Sequence, residues 1–210
     1  MLVDLKLTFQ SPRSLYEEAS RELRAVDQAA LFNDSRHQKK TEKWCAGVFG
    51  IGYERFVDPC QVAANDTDQR LDADFFVQKE RRNFAFQLVE AQDPARRRGD
   101  EYRTLAFGTV QSIRYEPERG GFEGPNWIAS QIAKKAAKNY AQATDLNLLV
   151  YANFSARQLQ HAALVDATVC YRKSFASIWV ITDLHIGALH STNVLGRIDG
   201  WGIIFDVSEK

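Results

Sequence analysis

The sequence lacks the features that mark membrane proteins, secreted proteins and zinc domains. None of its apolar runs is long enough to cross a bilayer, and the first residues, MLVDLKLTFQ, lack the basic start and long apolar centre of a signal peptide. The three cysteines, Cys45, Cys60 and Cys170, are odd in number and widely separated, so they give neither a disulfide framework nor a zinc-binding spacing. These absences predict a cytoplasmic protein with reduced thiols and no membrane partner.

Motifs of several other enzyme classes are missing or incomplete. There is no Gly-x-Ser-x-Gly nucleophile elbow. The glycines between residues 47 and 52 lack the preceding strand and the spacing of a nucleotide-binding loop. His185 and His190 stand five residues apart, whereas a zinc-binding helix needs an interval of four and a third ligand. We therefore interpret these glycines and histidines as packing residues.

The composition is that of a folded domain with balanced charge. The chain has 210 residues, of which 45% are hydrophobic, and its 27 basic and 27 acidic residues give a net charge of zero. A chain of this length can bury a full core, so we expect a single domain over residues 1–210. Zero net charge argues mildly against a nucleic-acid-binding protein, because such domains are often strongly basic. The positions of the basic residues matter more than their sum.

The most informative segment runs from residue 71 to residue 98, LDADFFVQKERRNFAFQLVEAQDPARRR. Asp74 precedes one apolar run, a charged turn over residues 79–83 follows, and a second apolar run ends in Glu90-Ala91-Gln92. This pattern predicts a β-hairpin. Alternate strand residues share a face, so the face that carries Glu90 and Gln92 is apolar at its start and polar at its end. In a simple register Asp74 lies near these residues, where carboxylates and a carbonyl offer the hard oxygen ligands that Mg²⁺ prefers.

This arrangement resembles the core of the PD-(D/E)XK nuclease superfamily, in which an Asp on one strand and an acid-x-Lys on the next bind the catalytic metal. Ala73-Asp74 corresponds to the Pro-Asp element, and Glu90-Ala91-Gln92 corresponds to acid-x-Lys. Ala73 thus replaces Pro and Gln92 replaces Lys, and some restriction endonucleases of the superfamily use Glu-x-Gln. The resemblance implies that Asp74 and Glu90, with the carbonyl of Ala91, bind one or two Mg²⁺ or Mn²⁺ ions. It also implies that Gln92 orients the attacking water.

The rest of the chain predicts an order of elements that is similar to the superfamily core. A helix predicted over residues 126–140 leads into an apolar strand over 146–154, and a second apolar strand over 175–182 follows another helix. With a helix before the hairpin, this order resembles an α-β-β-β-α-β core over roughly residues 44–189. We therefore expect an α/β fold with a restriction-endonuclease-like core, in which helices flank a central mixed sheet.

The two ends of the chain predict further elements around this core. Ser11-Pro12 offers a cap and a first-turn proline, and an apolar stripe predicts an extra N-terminal helix over about residues 12–32. A second helix is expected to begin near residue 34 or 35 and to carry Glu42. In the superfamily the first core helix sometimes contributes an acid, which makes Glu42 or Glu54 a candidate additional ligand. The segment 197–210 is expected to be an edge strand or a docking tail.

Basic residues cluster on both sides of the predicted site. The proposed phosphate contacts are Arg96, Arg97, Arg98, Lys134, Lys135 and Lys138. Guanidinium groups match phosphate geometry well, and phosphate contacts dominate the affinity of nucleic-acid binding. Lys135 or Lys138 is also a candidate for the positive charge that Gln92 does not supply. Taken singly, each cluster is better explained as a solvated face or turn.

Three functions are compatible with these features. The first is a metal-dependent endonuclease that hydrolyses phosphodiester bonds of nucleic acid, with DNA ahead of RNA and a homodimer as one arrangement. The second is a nuclease-like module that binds nucleic acid or protein without cutting, which Gln92 and the zero net charge favour. The third is a small-molecule or protein-interaction domain with an aromatic contact surface. Close approach of the Asp74 and Glu90 carboxylates would separate the first two functions from the third.

Overall fold

The computed structural model describes residues 7–26, 38–65, 72–95, 117–138, 145–156, 158–191 and 194–205. Within these ranges the chain forms the four α-helices α1 (Pro12–Arg24), α2 (Gln38–Phe56), α3 (Pro117–Ala136) and α4 (His161–Thr168). It also forms the seven strands β1 (Gln61–Ala64), β2 (Phe75–Lys79), β3 (Arg82–Ala91), β4 (Asn147–Ala152), β5 (Ser177–Ile181), β6 (His185–His190) and β7 (Gly202–Ile203).

The strands form one mixed sheet whose spatial order follows the chain from β1 to β7. The first three strands are an antiparallel meander, β3, β4 and β5 are parallel, and β6 and β7 are antiparallel additions. Parallel neighbours need crossover connections, and α3 and α4 lie on the two that join β3 to β4 and β4 to β5. The predicted α/β class with a mixed sheet is therefore confirmed. Among the described residues, no helix combines the length and the apolar character needed to cross a bilayer.

Helices cover both faces of the sheet, and the sheet separates the apolar core into two layers. On one face Phe49 of α2 lies at the centre of an aromatic cluster, with its ring centroid 5.0 Å from that of Phe86 and 5.5 Å from that of Trp179. On the other face Ile128 and Ile132 of α3 pack against the remaining side chains of β4 and β5. The alternation predicted for β3 agrees with this division, because Phe86 and Leu88 belong to the α2 layer.

The hairpin of β2 and β3 is present as predicted, with a tighter turn. Lys79 pairs with Arg82, so only Glu80 and Arg81 form the loop, and both have positive φ angles of 48° and 64°. Two consecutive residues of this kind are typical of a type I′ turn, whose twist matches that of the flanking strands. The five-residue turn predicted over residues 79–83 is therefore too long.

The N-terminal helix begins as predicted and ends earlier. Ser11 caps the helix by accepting a hydrogen bond from the N–H of Ser14 at 3.2 Å. The helix stops at Arg24, where the N–H groups of Ala25 and Val26 bond to the carbonyls of the preceding turn. Apolar residues continue at helical spacing beyond Arg24, so this spacing does not show where the helix ends. The predicted extension to residue 32 and the predicted start of the second helix at residue 34 or 35 involve residues outside those described.

Helix α3 begins at Pro117, well before the predicted start at residue 126. Gly120, Gly124 and an internal Pro125 disfavour a helix by propensity. Close packing requires the glycine at 120, because a Cβ there would lie 2.1 Å from the carbonyl oxygen of Ser155. The helix ends at Ala136 rather than at the predicted residue 140.

Two strands were not predicted. β1 is only four residues long, and β6 contains a glycine in its centre. The expected edge strand near the C-terminus is present as β7, whereas residues 206–210 of the predicted tail lie outside the described residues.

Candidate active site

Asp74 lies at the point where β2 separates from β3. Its N–H donates to the carbonyl of Phe86 at 2.8 Å, as a strand residue would. Its carboxylate oxygen Oδ2 then accepts the N–H of Leu88 at 2.7 Å. Strand pairing ends at Phe75 and Phe86, so the carboxylate takes the place of a strand carbonyl beyond the last pair. The register places Asp74 opposite Gln87, earlier on β3 than the predicted position near Glu90 and Gln92.

Asp74 belongs to a group of charged side chains that come from both faces of the sheet. Glu42 of α2 and Lys135 of α3 each interact electrostatically with Asp74. Glu42 and Lys135 also interact with one another. We call Glu42, Asp74 and Lys135 the acid–lysine cluster. It forms at the start of β2, where side chains from opposite layers of the protein can approach each other.

Glu42 is the most buried member of the cluster, with 7% of its surface exposed. Its Oε1 accepts a hydrogen bond from Gln38 at 2.8 Å, and its Oε2 lies 3.0 Å from Nζ of Lys39. The geometry of that second contact is not that of a hydrogen bond, so Oε2 is a buried oxygen with an ion-pair contact alone among the described residues. Burial, followed by the charge of Asp74, raises the pKa of Glu42 above its usual value.

Lys135 is half-buried, and its one hydrogen-bond partner among the described residues is neutral. Its Nζ donates to Oε1 of Gln87 on β3 at 2.7 Å. Burial lowers the pKa of Lys135, and the charges of Asp74 and Glu42 act against that effect. The ammonium is therefore fixed beside two carboxylates without forming a close ion pair with either. This arrangement leaves the positive charge available to a third anionic group.

Glu90 lies on the same face of β3 as Leu88 and points toward β4. Its Oε1 accepts a hydrogen bond from the side-chain amide of Asn153 at 2.7 Å. The carbonyl of Ala91, the next residue, accepts the backbone N–H of Asn153 at 2.8 Å. This carbonyl therefore faces β4, and one of its two lone pairs is in use.

The first turns of α2 lie over the part of the sheet that carries Glu90. Tyr151 of β4 is the register partner of Glu90, and its ring centroid lies 5.7 Å from that of Trp44. Burial and then the charge of Asp183, to which the phenol donates at 3.1 Å, raise the pKa of Tyr151, and Glu90 acts in the same direction.

The other predicted site residues lie around this region. Gln92 is half-buried immediately after β3, whereas Lys134 and Lys138 are exposed near the end of α3. Arg96, Arg97 and Arg98 lie outside the described residues. The structure therefore brings Asp74, Glu42 and Lys135 together, and the convergence of Asp74 with Glu90 stays a prediction.

The donor set is suitable for a hard divalent cation. It consists of carboxylates and carbonyl oxygen, which suit Mg²⁺ and Mn²⁺, and it includes the buried Oε2 of Glu42. Within the ranges that the structure describes, no group of three or more acidic, histidine or cysteine side chains is arranged to hold an ion. Mg²⁺ commonly binds through only one or two carboxylates and retains several waters, so two carboxylates fit its requirements.

Sequence reasoning missed Gln87 and Asn153, which hold Lys135 and Glu90. Gln87 has only 8% of its surface exposed and occupies a position on β3 that faces the α3 layer. The available signal was a polar residue at a position of an apolar strand whose side chain faces the core. Asn153 directly follows β4, and the carboxyl ends of parallel strands are where ligands bind in open α/β sheets.

Comparisons of the chain with protein-family models, with curated proteins and with solved structures gave no match.

Proposed function

We propose that this chain is a metal-dependent nuclease of the PD-(D/E)XK type. The element order α2, β1, β2, β3, α3, β4 supports the proposal, because it corresponds to the α-β-β-β-α-β order implied by the sequence resemblance. The parallel pairing of β3 with β4 and the helices on both faces are consistent with the central mixed sheet of such a core. The substrate class is nucleic acid, with DNA as the first candidate.

The acid–lysine cluster is the observation that carries this proposal. Asp74 stands where β2 leaves β3, and it interacts with a carboxylate from the first core helix and with a lysine from the helix that follows β3. Burying charged groups is costly, and this cluster holds charges of both signs whose members form no close ion pair with one another among the described residues. Such an arrangement is expected where a protein must hold a metal ion and a phosphate group together.

In this proposal Asp74 and Glu90 hold the metal, with Glu42 as an additional ligand and the Ala91 carbonyl as a further oxygen donor. A bound Mg²⁺ would activate water and stabilise the charge on the phosphate and on the leaving oxygen. The N–H of Leu88 fixes one oxygen of Asp74, so the other oxygen is the one that can bind a ligand. Gln92, which directly follows β3, would orient the attacking water.

Lys135 supplies the positive charge that the Glu-x-Gln motif lacks. Gln87 accepts one of the three N–H donors of the ammonium, and the remaining two can donate to phosphate oxygens. Only the protonated form can do so, and burial lowers the pKa of this lysine. The expected rate therefore falls at alkaline pH, and it falls at a lower pH than for an ordinary lysine.

The test is cleavage of labelled single- and double-stranded DNA and RNA by the purified protein with Mg²⁺ or Mn²⁺. Asp74→Asn and Glu90→Ala are compared with the wild-type protein, and Asp72→Asn serves as the control because Asp72 is exposed and only two residues from Asp74. We expect metal-dependent cutting by the wild-type and Asp72→Asn proteins, and a loss of at least about 10³-fold in the two site variants.

Other outcomes distinguish the alternative functions. A wild-type protein that shifts nucleic acid in a gel without cutting it would be a binding module rather than a nuclease. A protein that neither cuts nor binds any of the substrates would overturn the nucleic-acid proposal and favour an interaction domain.

A further inference from the structure

Asn153 contacts both of the β3 groups that the proposed function uses as metal ligands. Its side-chain Nδ2 donates to Oε1 of Glu90 at 2.7 Å. Its backbone N–H donates to the carbonyl oxygen of Ala91 at 2.8 Å. The backbone bond extends the β3–β4 ladder by one residue past the last pair, Ala91 with Ala152. One residue thus fixes two consecutive ligand groups on the neighbouring strand.

The two contacts have different physical roles. Any residue except proline can donate the backbone bond, which belongs to the sheet. The side-chain bond requires an amide in this position, and it is a hydrogen bond to an ionised group, which is stronger and more directional than a neutral one. It occupies one carboxylate oxygen of Glu90 and fixes the orientation of the second. The amide is also neutral, so it orients the carboxylate without adding a competing charge.

We propose that Asn153 is a positioning residue for the metal site, and that its amide holds Glu90 in the orientation that binds the ion. This inference rests on the proposed function. Partners that orient ligating carboxylates typically contribute a factor of 10 to 100 in metal affinity. The half-buried position of Asn153, outside both apolar layers, means that its side chain can be shortened without opening a cavity in the core.

The experiment measures Mn²⁺ binding to the nucleic-acid-free protein by isothermal titration calorimetry, with cleavage kinetics measured separately. Asn153→Ala removes the amide and retains the backbone bond. Asn153→Gln restores an amide on a longer side chain. Asn83→Ala is the matched control, because Asn83 also makes a side-chain hydrogen bond, to Gln78 at 3.0 Å, on the exposed hairpin away from the site. Thermal unfolding without metal shows whether each variant keeps the fold.

We expect Asn153→Ala to weaken Mn²⁺ binding by 10-fold to 100-fold. In cleavage assays this loss appears as a requirement for more metal, and kcat at saturating metal falls less than kcat at limiting metal. Asn153→Gln should recover part of the affinity, and Asn83→Ala should match the wild-type protein.

The results that would overturn this inference differ from those that would overturn the proposed function. If the wild-type protein binds Mn²⁺ and cuts, and Asn153→Ala and Asn153→Gln bind Mn²⁺ as it does, the positioning role is wrong and the nuclease proposal stands. If the wild-type protein neither binds Mn²⁺ nor cuts, the nuclease proposal fails and the role of Asn153 toward a metal fails with it. If Asn153→Ala does not fold, Asn153→Ser replaces it as a second variant without the amide, and unchanged metal affinity together with unchanged kcat at limiting metal overturns the inference.

Discussion

Two groups of polar side chains are packed within the fold, and they differ in charge. The first is a neutral network of Asn147, Ser177 and Trp179 at the beginnings of β4 and β5. The amide of Asn147 donates to the carbonyl of Ala85 at 3.0 Å and accepts the hydroxyl of Ser177 at 2.7 Å. The same hydroxyl accepts the indole N–H of Trp179 at 2.9 Å. Each donor has an acceptor within the network or on the adjacent strand.

The second group, the acid–lysine cluster, is charged. Burial raises the pKa of Glu42 and lowers the pKa of Lys135, so in both cases the protein environment opposes the charged form. The neutral network satisfies buried polar atoms at little cost. Burying the charges of the acid–lysine cluster lowers the stability of the fold, and the fold itself does not require these charges. This difference is the one expected if the first group maintains the fold and the second serves the proposed reaction.

The sharpest test of this contrast is Lys135→Met. Loss of one fixed positive donor should lower kcat/KM by about 10² to 10³-fold, whereas stability should stay the same or rise because a half-buried charge is removed. The alkaline limb of the pH–rate profile, expected below the ordinary lysine value of 10.5, should disappear with it. Lys173→Met is the control, since Lys173 is exposed and is not one of the proposed site residues. Equal losses in the two variants would contradict a specific role.

The neutral network should show the opposite behaviour. Asn147→Leu leaves the Ala85 carbonyl and the Ser177 hydroxyl without their partner, which should lower the free energy of unfolding by roughly 2–4 kcal/mol. Urea denaturation measures this loss, and kcat/KM per folded molecule should not change. A catalytic defect in a fully folded Asn147→Leu protein would remove the distinction between the two groups.

Glu42→Gln should stabilise the protein, by about 1 kcal/mol or a Tm increase of roughly 2–4 °C at neutral pH. The folded pKa of Glu42 is raised, so this glutamate contributes most to stability below its unfolded value of 4.5, and that contribution is lost as the pH rises through the folded value. The gain from Gln should therefore be present at neutral pH and vanish near pH 4. Thermal unfolding across this range measures it, with the exposed Glu17→Gln as a control that should show no such trend.

The smallest expected effect lies in the hairpin turn, far from both groups. Arg81 has a positive φ angle, which favours glycine, so Arg81→Gly should raise the free energy of unfolding by roughly 0.5–1 kcal/mol. Arg82→Gly should lower it by a similar amount, because Arg82 is the first residue of β3. If both variants shift the stability in the same direction, turn conformation is not the cause.

The sequence predicted the elements whose local patterns agree with their tertiary environment. The β2–β3 hairpin and the apolar strands β4 and β5 follow from runs of apolar residues, and Asp74 was identified because it opens such a run. The early start of α3 did not follow, because its glycines are determined by contact with Ser155 rather than by helix propensity. β1 is too short to give a periodic signal.

For the site, the sequence predicted only where the site residues lie along the strands. Glu42 and Lys135 come from helices on opposite faces, and no spacing in the sequence shows that both reach the start of β2. Gln87 and Asn153 act through neighbours far away in the chain, 48 residues for the first and 63 for the second. Their roles depend on strand order and register, which local patterns do not contain.

The contact of Gly120 with Ser155 links helix α3, which carries Lys135, to the residues that follow β4. The amino-terminal half of helix α3 packs against the residues after β4, and Lys135 lies about 22 Å further along the helix axis. Ser155 lies two residues after Asn153, which contacts Glu90. One short piece of backbone therefore carries both the asparagine that contacts Glu90 and the carbonyl against which α3 packs. We expect a side chain introduced at position 120 to disturb both the orientation of Glu90 and the position of Lys135, although it would touch neither.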